Sequence, residues 1–445
     1  MSNSSLSFSQ LEAKRSAIIP PEMAPAPSGP RLKVLVGAYA CNPSRGSEDG
    51  VGWGWVEAIS KYHDLWVLTS DQWRDDIEAV LHKRPELQGR LQFYYVPWKS
   101  HAFSHWLWPL VHLYNYQHSW QKAAYELGKR LHEEIGFDIV HQLTYVGFRV
   151  PGLLWKLDVP FVWGPIGGLE QTKWALIPSL GLRGGLHFAA RNLLNEYDRR
   201  FARLPKQAFA AADGGIIAAT TGIQREIRRF YDRSSTVVSE IGLPPISQQS
   251  TNRKLSTEPL TLLWCGNLLP GKALPFLFSA LELLPPGLEW RLTIIGDGPC
   301  AANWQRLARK MRLADRCDWL GQVPRQTVLQ RMQQAHALVV TSVHDLTSTV
   351  VVEALTNGLP VLCPDHCGFT DAVTPECGIR VKASTKHEIV TGLRDAIVKI
   401  SDETFRFRLA QGAIAQAQKY EWDLKARMVD SIYRMKLLAI GVDHL

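Results

Sequence analysis

At 445 residues and 46% apolar composition, the chain is too long for one ordinary hydrophobic core and predicts two domains. Its 50 basic and 42 acidic residues leave a net charge of +8, spread without a dominant run. That mild excess suits small anionic ligands or an anionic membrane face, and it argues against a dedicated nucleic-acid surface. Seven scattered cysteines fit a reducing compartment rather than a disulfide framework. Cys363, Cys367 and Cys377 lie close in sequence, but no second Cys/His pair completes a zinc-like spacing, so no metal site is expected.

Residues 1–30 are rich in Ser and Pro and lack a hydrophobic signal core, which predicts a disordered lead. No stretch is long and apolar enough to span a bilayer. The expected location is the cytoplasm, at or near the inner face of a membrane.

The first domain is expected over 31–243. A buried strand at 32–38 (LKVLVGA) is followed by a Gly-rich loop from Gly46 to Gly52, then a helix at 53–63 and a strand at 65–69 (LWVLT). The glycines of that loop would let backbone N–H groups approach phosphate or sugar oxygens. Its order, Gly50-Val51-Gly52-Trp53-Gly54, does not match the dinucleotide fingerprint, so a nicotinamide enzyme is poorly supported. Residues 98–120 carry Trp98, Trp106, Trp108 and Trp120 among Tyr and His. Strands follow at 138–141, ending on His141, and at 160–163. Residues 183–206 mix Arg183, Arg191, Arg199, Arg200, Arg203 and Lys206 with Leu, Phe and Tyr. Aromatic and basic residues on amphipathic helices suit a membrane interface, so 98–120 and 183–206 are candidates for peripheral membrane contact. Two more strands are expected at 216–219 and 236–241.

A turn-rich stretch, 244–259, reads as a linker. The pattern then restarts in a second domain, 260–419, with strands at 260–265, 292–296, 335–341 and 360–363. The alternation predicts two Rossmann-like parallel sheets facing each other across a cleft. Within the second domain, Asp345 and Glu353 stand eight residues apart. Asp345 falls in a loop past a strand, and Glu353 about one and a half turns into the next helix. Thr347 or Ser348 would cap that helix, with Thr349 beside them. A helix N-terminus with hydroxyls cradles anions, and a flanking carboxylate holds sugar hydroxyls. That combination fits a phosphate between two polyols, as in a nucleotide sugar.

Four features now add up to a resemblance. Cys265-Gly266-Asn267-Leu268-Leu269-Pro270-Gly271-Lys272 resembles a strand-end loop of pattern G-R-L-x-x-x-K. Ile295-Gly296-Asp297-Gly298-Pro299 resembles a G-x-G-P turn. Asp345 to Glu353 resembles an E-x7-E motif, and Glu353-Ala354-Leu355-Thr356-Asn357-Gly358-Leu359-Pro360-Val361 resembles E-A-[ML]-x-x-G-x-P-V. In order and spacing these are similar to the retaining glycosyltransferases of family 4, which have the GT-B fold. The resemblance covers roughly residues 31–435 and is weaker in the N-terminal half.

The resemblance implies a hexosyltransferase that uses a nucleoside-diphosphate sugar and a glycan or lipid-linked acceptor, in exopolysaccharide or cell-envelope glycan synthesis. Lys272 would bind the donor diphosphate and offset charge on the leaving group. Glu353 would hold the ribose hydroxyls. Asp345 would hold a hydroxyl of the transferred sugar, with Gly46, Gly266, Asn267, Thr347, Ser348 and Thr349 lining the donor. His141 would sit near the transferred sugar, so His141, Asp345 and Lys272 form the expected catalytic set. The final segment, 420–445, would be a helix crossing back to the N-terminal domain. No cofactor is expected. No Asp-x-Asp triplet occurs in the chain, so a metal-independent, retaining, front-face transfer is expected.

Two departures matter. Asn267 stands where the family usually has Arg, so one cationic arm is missing and Arg325 or Arg149 is a candidate replacement. Asp345 is one methylene shorter than the usual Glu. These two positions leave a second reading open, a catalytically inactive GT-B-like binding or scaffold subunit.

Overall fold

The computed structural model describes residues 29–97, 119–246 and 259–441. Residues 98–118 of the candidate membrane segment and most of the expected linker therefore lie outside the described residues, as does the lead up to residue 28; Trp120, at the end of that segment, is buried in the first unit and does not face a membrane. The chain divides into two compact units. The first comprises Met1–Leu169, Asp198–Gly242 and Trp422–Leu445, and the second comprises Glu170–Tyr197 and Leu243–Glu421.

The first unit is built on seven parallel strands: β1 Lys33–Ala38, β2 Asp64–Ser70, β3 Leu91–Val96, β4 Ile139–Thr144, β5 Phe161–Ile166, β6 Ile216–Ala218 and β7 Thr236–Val237. Their order is β3-β2-β1-β4-β5-β6-β7. Strands β4 and β5 are buried along their whole length, as a parallel sheet covered on both faces requires. The order reverses between β1 and β4, whose carboxyl ends are the natural site-bearing edge of such a sheet.

Helix α1, Ser47–Ser60, occupies most of the stretch expected to be a Gly-rich loop. Gly52 and Gly54 serve packing within the unit. A Cβ on Gly52 would lie 1.9 Å from the carbonyl oxygen of Ala40, and one on Gly54 would lie 2.2 Å from the Trp422 ring. The helix thus presents a face without side chains so that the chain leaving β1 and an indole can press against its backbone.

The second unit has six parallel strands: β8 Leu260–Cys265, β9 Trp290–Ile295, β10 Cys317–Gly321, β11 Ala337–Val339, β12 Val361–Pro364 and β13 Gly378–Val381, in the order β10-β9-β8-β11-β12-β13. Its sequence order again reverses at the centre, between β8 and β11. Four of its helices bear on the site: α2 Gly181–Phe201, which enters from this unit, α3 Leu274–Glu282, α4 Arg325–Gln334 and α5 Thr349–Thr356. The last helix of the chain, α6 Trp422–Leu438, groups with the first unit. There the Tyr433 hydroxyl bonds the buried His141, Asp430 lies 3.2 Å from the buried His63, and Lys425 Nζ donates to the Ser239 carbonyl at 2.7 Å.

Two expectations change. Residues 170–197 belong to the second unit and not to a continuous first domain over 31–243. Leu176 and Leu180 join the hydrophobic cluster around Leu262, Trp264 and Leu274, and the Phe188 ring seats on Gly271 where a Cβ would be 2.6 Å away. The polar face of α2 is satisfied within the same unit, since Asn192 exchanges hydrogen bonds with both backbone groups of Thr172. Strands β3, β10 and β13 were not foreseen. All three are sheet edges, and the polar residues an edge tolerates interrupt the apolar run that marks a central strand.

Glycine-to-alanine changes inside a helix ordinarily stabilise by up to about 1 kcal/mol. Gly52→Ala should instead destabilise by about 2 kcal/mol, because the Ala40 carbonyl cannot move away. Urea unfolding of the variant checks the sign.

Candidate functional site

The site of the second unit forms where β8 and β11 end. Beyond β8 the chain passes through Gly266, makes a short 3-10 turn over Pro270–Lys272 and enters α3. The loops after β8 and β9 abut backbone to backbone. A Cβ on Gly296, whose φ is +126°, would lie 2.0 Å from the Gly266 carbonyl oxygen. Leu268 N–H donates to Asp297 C=O at 2.9 Å. This is the physical reason for glycine in the Ile295–Pro299 turn.

The Lys272 turn is tied to the chain beyond β11. The Thr341 hydroxyl accepts from Trp264 Nε1 at 3.0 Å and donates to the Lys272 carbonyl at 2.5 Å. Val343 N–H donates to the Gly271 carbonyl at 2.8 Å. These bonds bring Lys272 Nζ to 2.5 Å from Asp345 Oδ2. Oδ1 of the same carboxylate accepts from Leu346 N–H at 3.1 Å. The loop is backed by Gly368, whose N–H reaches the Leu346 carbonyl at 3.0 Å and where a Cβ would come within 2.5 Å of that oxygen.

Helix α5 then starts at Thr349 with Ser348 as its N-cap residue, and the Ser348 side chain makes no capping hydrogen bond. Thr347 is buried, Ser348 half-buried and Thr349 exposed. Glu353 lies on the second turn, where Oε1 accepts from Arg325 Nε at 2.8 Å. Glu353 is 17% exposed and Arg325 71%, so the carboxylate is fixed and the guanidinium is a loose, solvated partner. Glu353 and Arg325 also line a recess of about 260 Å³ whose other wall is residues 243–246. Burial, and then the charge of Glu353, push the Cys265 thiol up to about 12, while Lys272 opposes this shift. The carboxylate and the ammonium thus both reach the end of β8.

Sequence reasoning missed the layer behind Asp345. His344 is held neutral, pushed down to about 3 by burial and then by Arg191, His366 and Lys272. Arg191 of α2 reaches His344 Nδ1 at 3.4 Å. His366 lies near 4 through burial and then Lys173, and its Nε2 is 2.9 Å from the Ser342 carbonyl. Arg191 and Lys173 come from 170–197, and no local signal in the sequence ties that segment to Asp345. Asn267 is exposed, and its carbonyl accepts from Leu269 N–H. Of the two suggested replacements for a cation at that position, Arg325 pairs with Glu353, and Arg149 pairs with Asp198 within the first unit.

The remaining expected residues lie in the first unit. Gly46 is the exposed N-cap residue of α1. His141 is fully buried on β4, with Nδ1 2.6 Å from the Tyr433 hydroxyl and Nε2 2.7 Å from the Gly164 carbonyl. Both ring nitrogens are engaged, and burial pushes the ring down to about 4, so it is neutral. Glu48, at the first turn of α1, accepts from Val146 N–H at 2.8 Å and is pushed up to about 7 by burial.

These shifts set a pH dependence. A histidine depressed from 6.5 contributes stability that is complete above pH 6.5 and is lost as pH falls through its folded value near 4. Glu48, raised from 4.5, acts oppositely: its contribution is complete below pH 4.5 and lost as pH rises through about 7. Thermal melts should show Glu48→Gln more stable than the parent by about 2 kcal/mol at pH 8 and equal to it at pH 4. In that background the melting temperature should fall steadily from pH 6.5 to 4.

Residues 246–413 match the family described as glycosyl transferases, group 1. A D-inositol 3-phosphate glycosyltransferase from Nocardioides sp. is 28% identical over 302 residues, covering 61% of this chain and 65% of its own length. Among solved structures, sucrose-phosphate synthase from Thermosynechococcus elongatus superposes with a TM-score of 0.61 at 16% identity, over 92% of this chain and 100% of that one. HepE of Anabaena, in complex with UDP, gives 0.56 at 16% identity, over 93% and 100%. At such identities the structural likeness establishes the fold, two Rossmann-like sheets in the GT-B manner.

Proposed function

We propose that the chain is a group 1 glycosyl transferase, the family that residues 246–413 match, and that it moves a hexose from a nucleoside-diphosphate sugar to a glycan or lipid-linked acceptor, in exopolysaccharide or cell-envelope glycan synthesis, at the cytoplasmic face of a membrane. The observation that carries this reading is the Lys272–Asp345 ion pair beside the start of α5, with Glu353 on the next turn of the same helix.

The pair suits such a donor because the donor brings both complements. Its diphosphate takes the Lys272 ammonium, and a hydroxyl of its sugar donates to the released Asp345 carboxylate. One half-buried charge contact is exchanged for two charge-assisted ones, with no ion left bare. Arg191, half-buried one residue from Asp345 through His344, adds positive potential that Asn267 does not supply. The ribose diol donates to Glu353 and displaces Arg325, which is solvated and costs little to move.

Lys272 and the N–H groups at the start of α5 offset charge on the departing diphosphate, which supports transfer without a metal ion. In the retaining, front-face step the bond from the anomeric carbon to the diphosphate oxygen breaks. The acceptor oxygen bonds that carbon from the same face, and its proton passes to the departing phosphate. The protein contributes position and charge. His141, neutral and bonded at both nitrogens, contributes by holding β4 and β5 beneath the first unit's edge.

Calorimetric titration with UDP, GDP, ADP and their sugars, in chelator, tests the proposal. One nucleotide should bind, and Glu353→Ala should weaken it by about 2–4 kcal/mol. Lys272→Ala should weaken the diphosphate far more than the bare nucleoside. A strict need for Mg²⁺ would overturn the metal-free account. Absence of binding to every nucleotide by folded protein would favour the scaffold reading.

A further inference from the structure

Helix α2 has its polarity reversed for a helix on a protein surface. Leu182, Leu186, Leu193 and Leu194 are 81%, 65%, 63% and 61% exposed, and Tyr197 and Phe201 are each 62% exposed. With 3.6 residues per turn, the four leucines fall within about 120° of the helix circumference. The opposite face holds Gly184, Asn192 and Asn195, all buried. Water-soluble helices bury their leucines and expose their amides, so the sequence of α2 is written for an apolar environment outside the protein.

The charges around the stripe narrow the choice. Arg183 is exposed near its start, and Arg200, Arg203 and Lys206 are exposed near its end. The acids of the helix turn inward: Glu196 accepts from Gln171, and Asp198 pairs with Arg149. Every charged side chain that α2 exposes is therefore cationic. A second copy of the chain across a two-fold axis would bring these arginines against one another. An anionic bilayer instead offers hydrocarbon to the leucines and lipid phosphates to the arginines. The helix is 21 residues long, and no helix among the described residues is long and apolar enough to cross a membrane, so α2 would lie in the plane of the interface.

We propose that the Leu182–Leu186–Leu193–Leu194 face of α2 docks on an anionic phospholipid bilayer, with Arg183 and the cations after Tyr197 engaging its head groups. The docking goes beyond the donor-site reading and does not depend on it. It joins the site to the surface physically, because the buried side of the same helix carries Arg191 to His344 and seats Phe188 on the Lys272 turn.

The test is co-sedimentation of the full chain with vesicles of phosphatidylcholine alone and of phosphatidylcholine with phosphatidylglycerol, at low and raised salt. Binding is expected to the phosphatidylglycerol vesicles and to weaken with salt. The double substitution Leu186→Glu, Leu193→Glu should lower it by at least about tenfold. Nucleotide titration of that variant, with affinity equal to the parent's, reports a folded second unit and separates failure of this proposal from failure of the donor reading. Three results would overturn the proposal: no sedimentation with either vesicle, equal sedimentation of parent and double variant, or a parent dimer that the double substitution dissociates without any vesicle binding.

Discussion

The hydroxyl of Thr341 is the contact on which the second unit's site depends. It is fully buried, accepts from Trp264 Nε1 and donates to the Lys272 carbonyl. Strands β8 and β11 are neighbours at the point where the sheet order reverses, so the chains leaving them diverge. A hydroxyl can bond in both directions at once, and here it joins an indole on one strand to the turn that follows it. With Val343 bonded to Gly271, the two loops become one rigid edge. The position of Lys272 Nζ against Asp345 follows from that edge and not from the ion pair, which two partly exposed side chains could not enforce alone.

The two units spend their polar chemistry differently. In the first, the titratable groups that α6 brings in are consumed internally. His141 bonds Tyr433 and Gly164, His63 lies 3.2 Å from Asp430, and Lys425, lowered to about 7 by burial, donates to a carbonyl. Such groups align strands and helices, and burial holds His141 neutral. In the second unit, Lys272, Asp345 and Glu353 keep 27%, 20% and 17% of their side-chain surface. They are enclosed enough to be fixed and open enough to exchange partners. That difference separates residues that hold a fold from residues that can take a ligand.

Helix α2 is where these roles meet. Its polar side satisfies 170–172, its Phe188 requires glycine at 271, and its outward side is apolar. The one element therefore buttresses the Lys272 turn from behind while facing away from the protein with leucines.

Much of this was legible in the chain. Central parallel strands are continuous apolar runs, so β1, β2, β8 and β11 could be read directly, and the eight-residue spacing of Asp345 and Glu353 needed only the rise of a helix to place one at its mouth and the other on its second turn. Edge strands β3, β10 and β13 could not be read, because one open side tolerates polar residues. The glycines of α1 looked like a ligand loop, since spacing does not say whether bare backbone faces a ligand or, as here, the Ala40 carbonyl and the Trp422 ring. A histidine at a strand end likewise carries no sign of whether its nitrogens will be free; Tyr433, 292 residues away, decided that for His141. Local pattern by itself determined elements, their periodicity and the chemistry carried at their ends. Only the tertiary structure decided which distant groups satisfy one another, which residues 170–197 serve, and which apolar face of α2 is left outside, because those outcomes depend on packing between segments far apart in the chain.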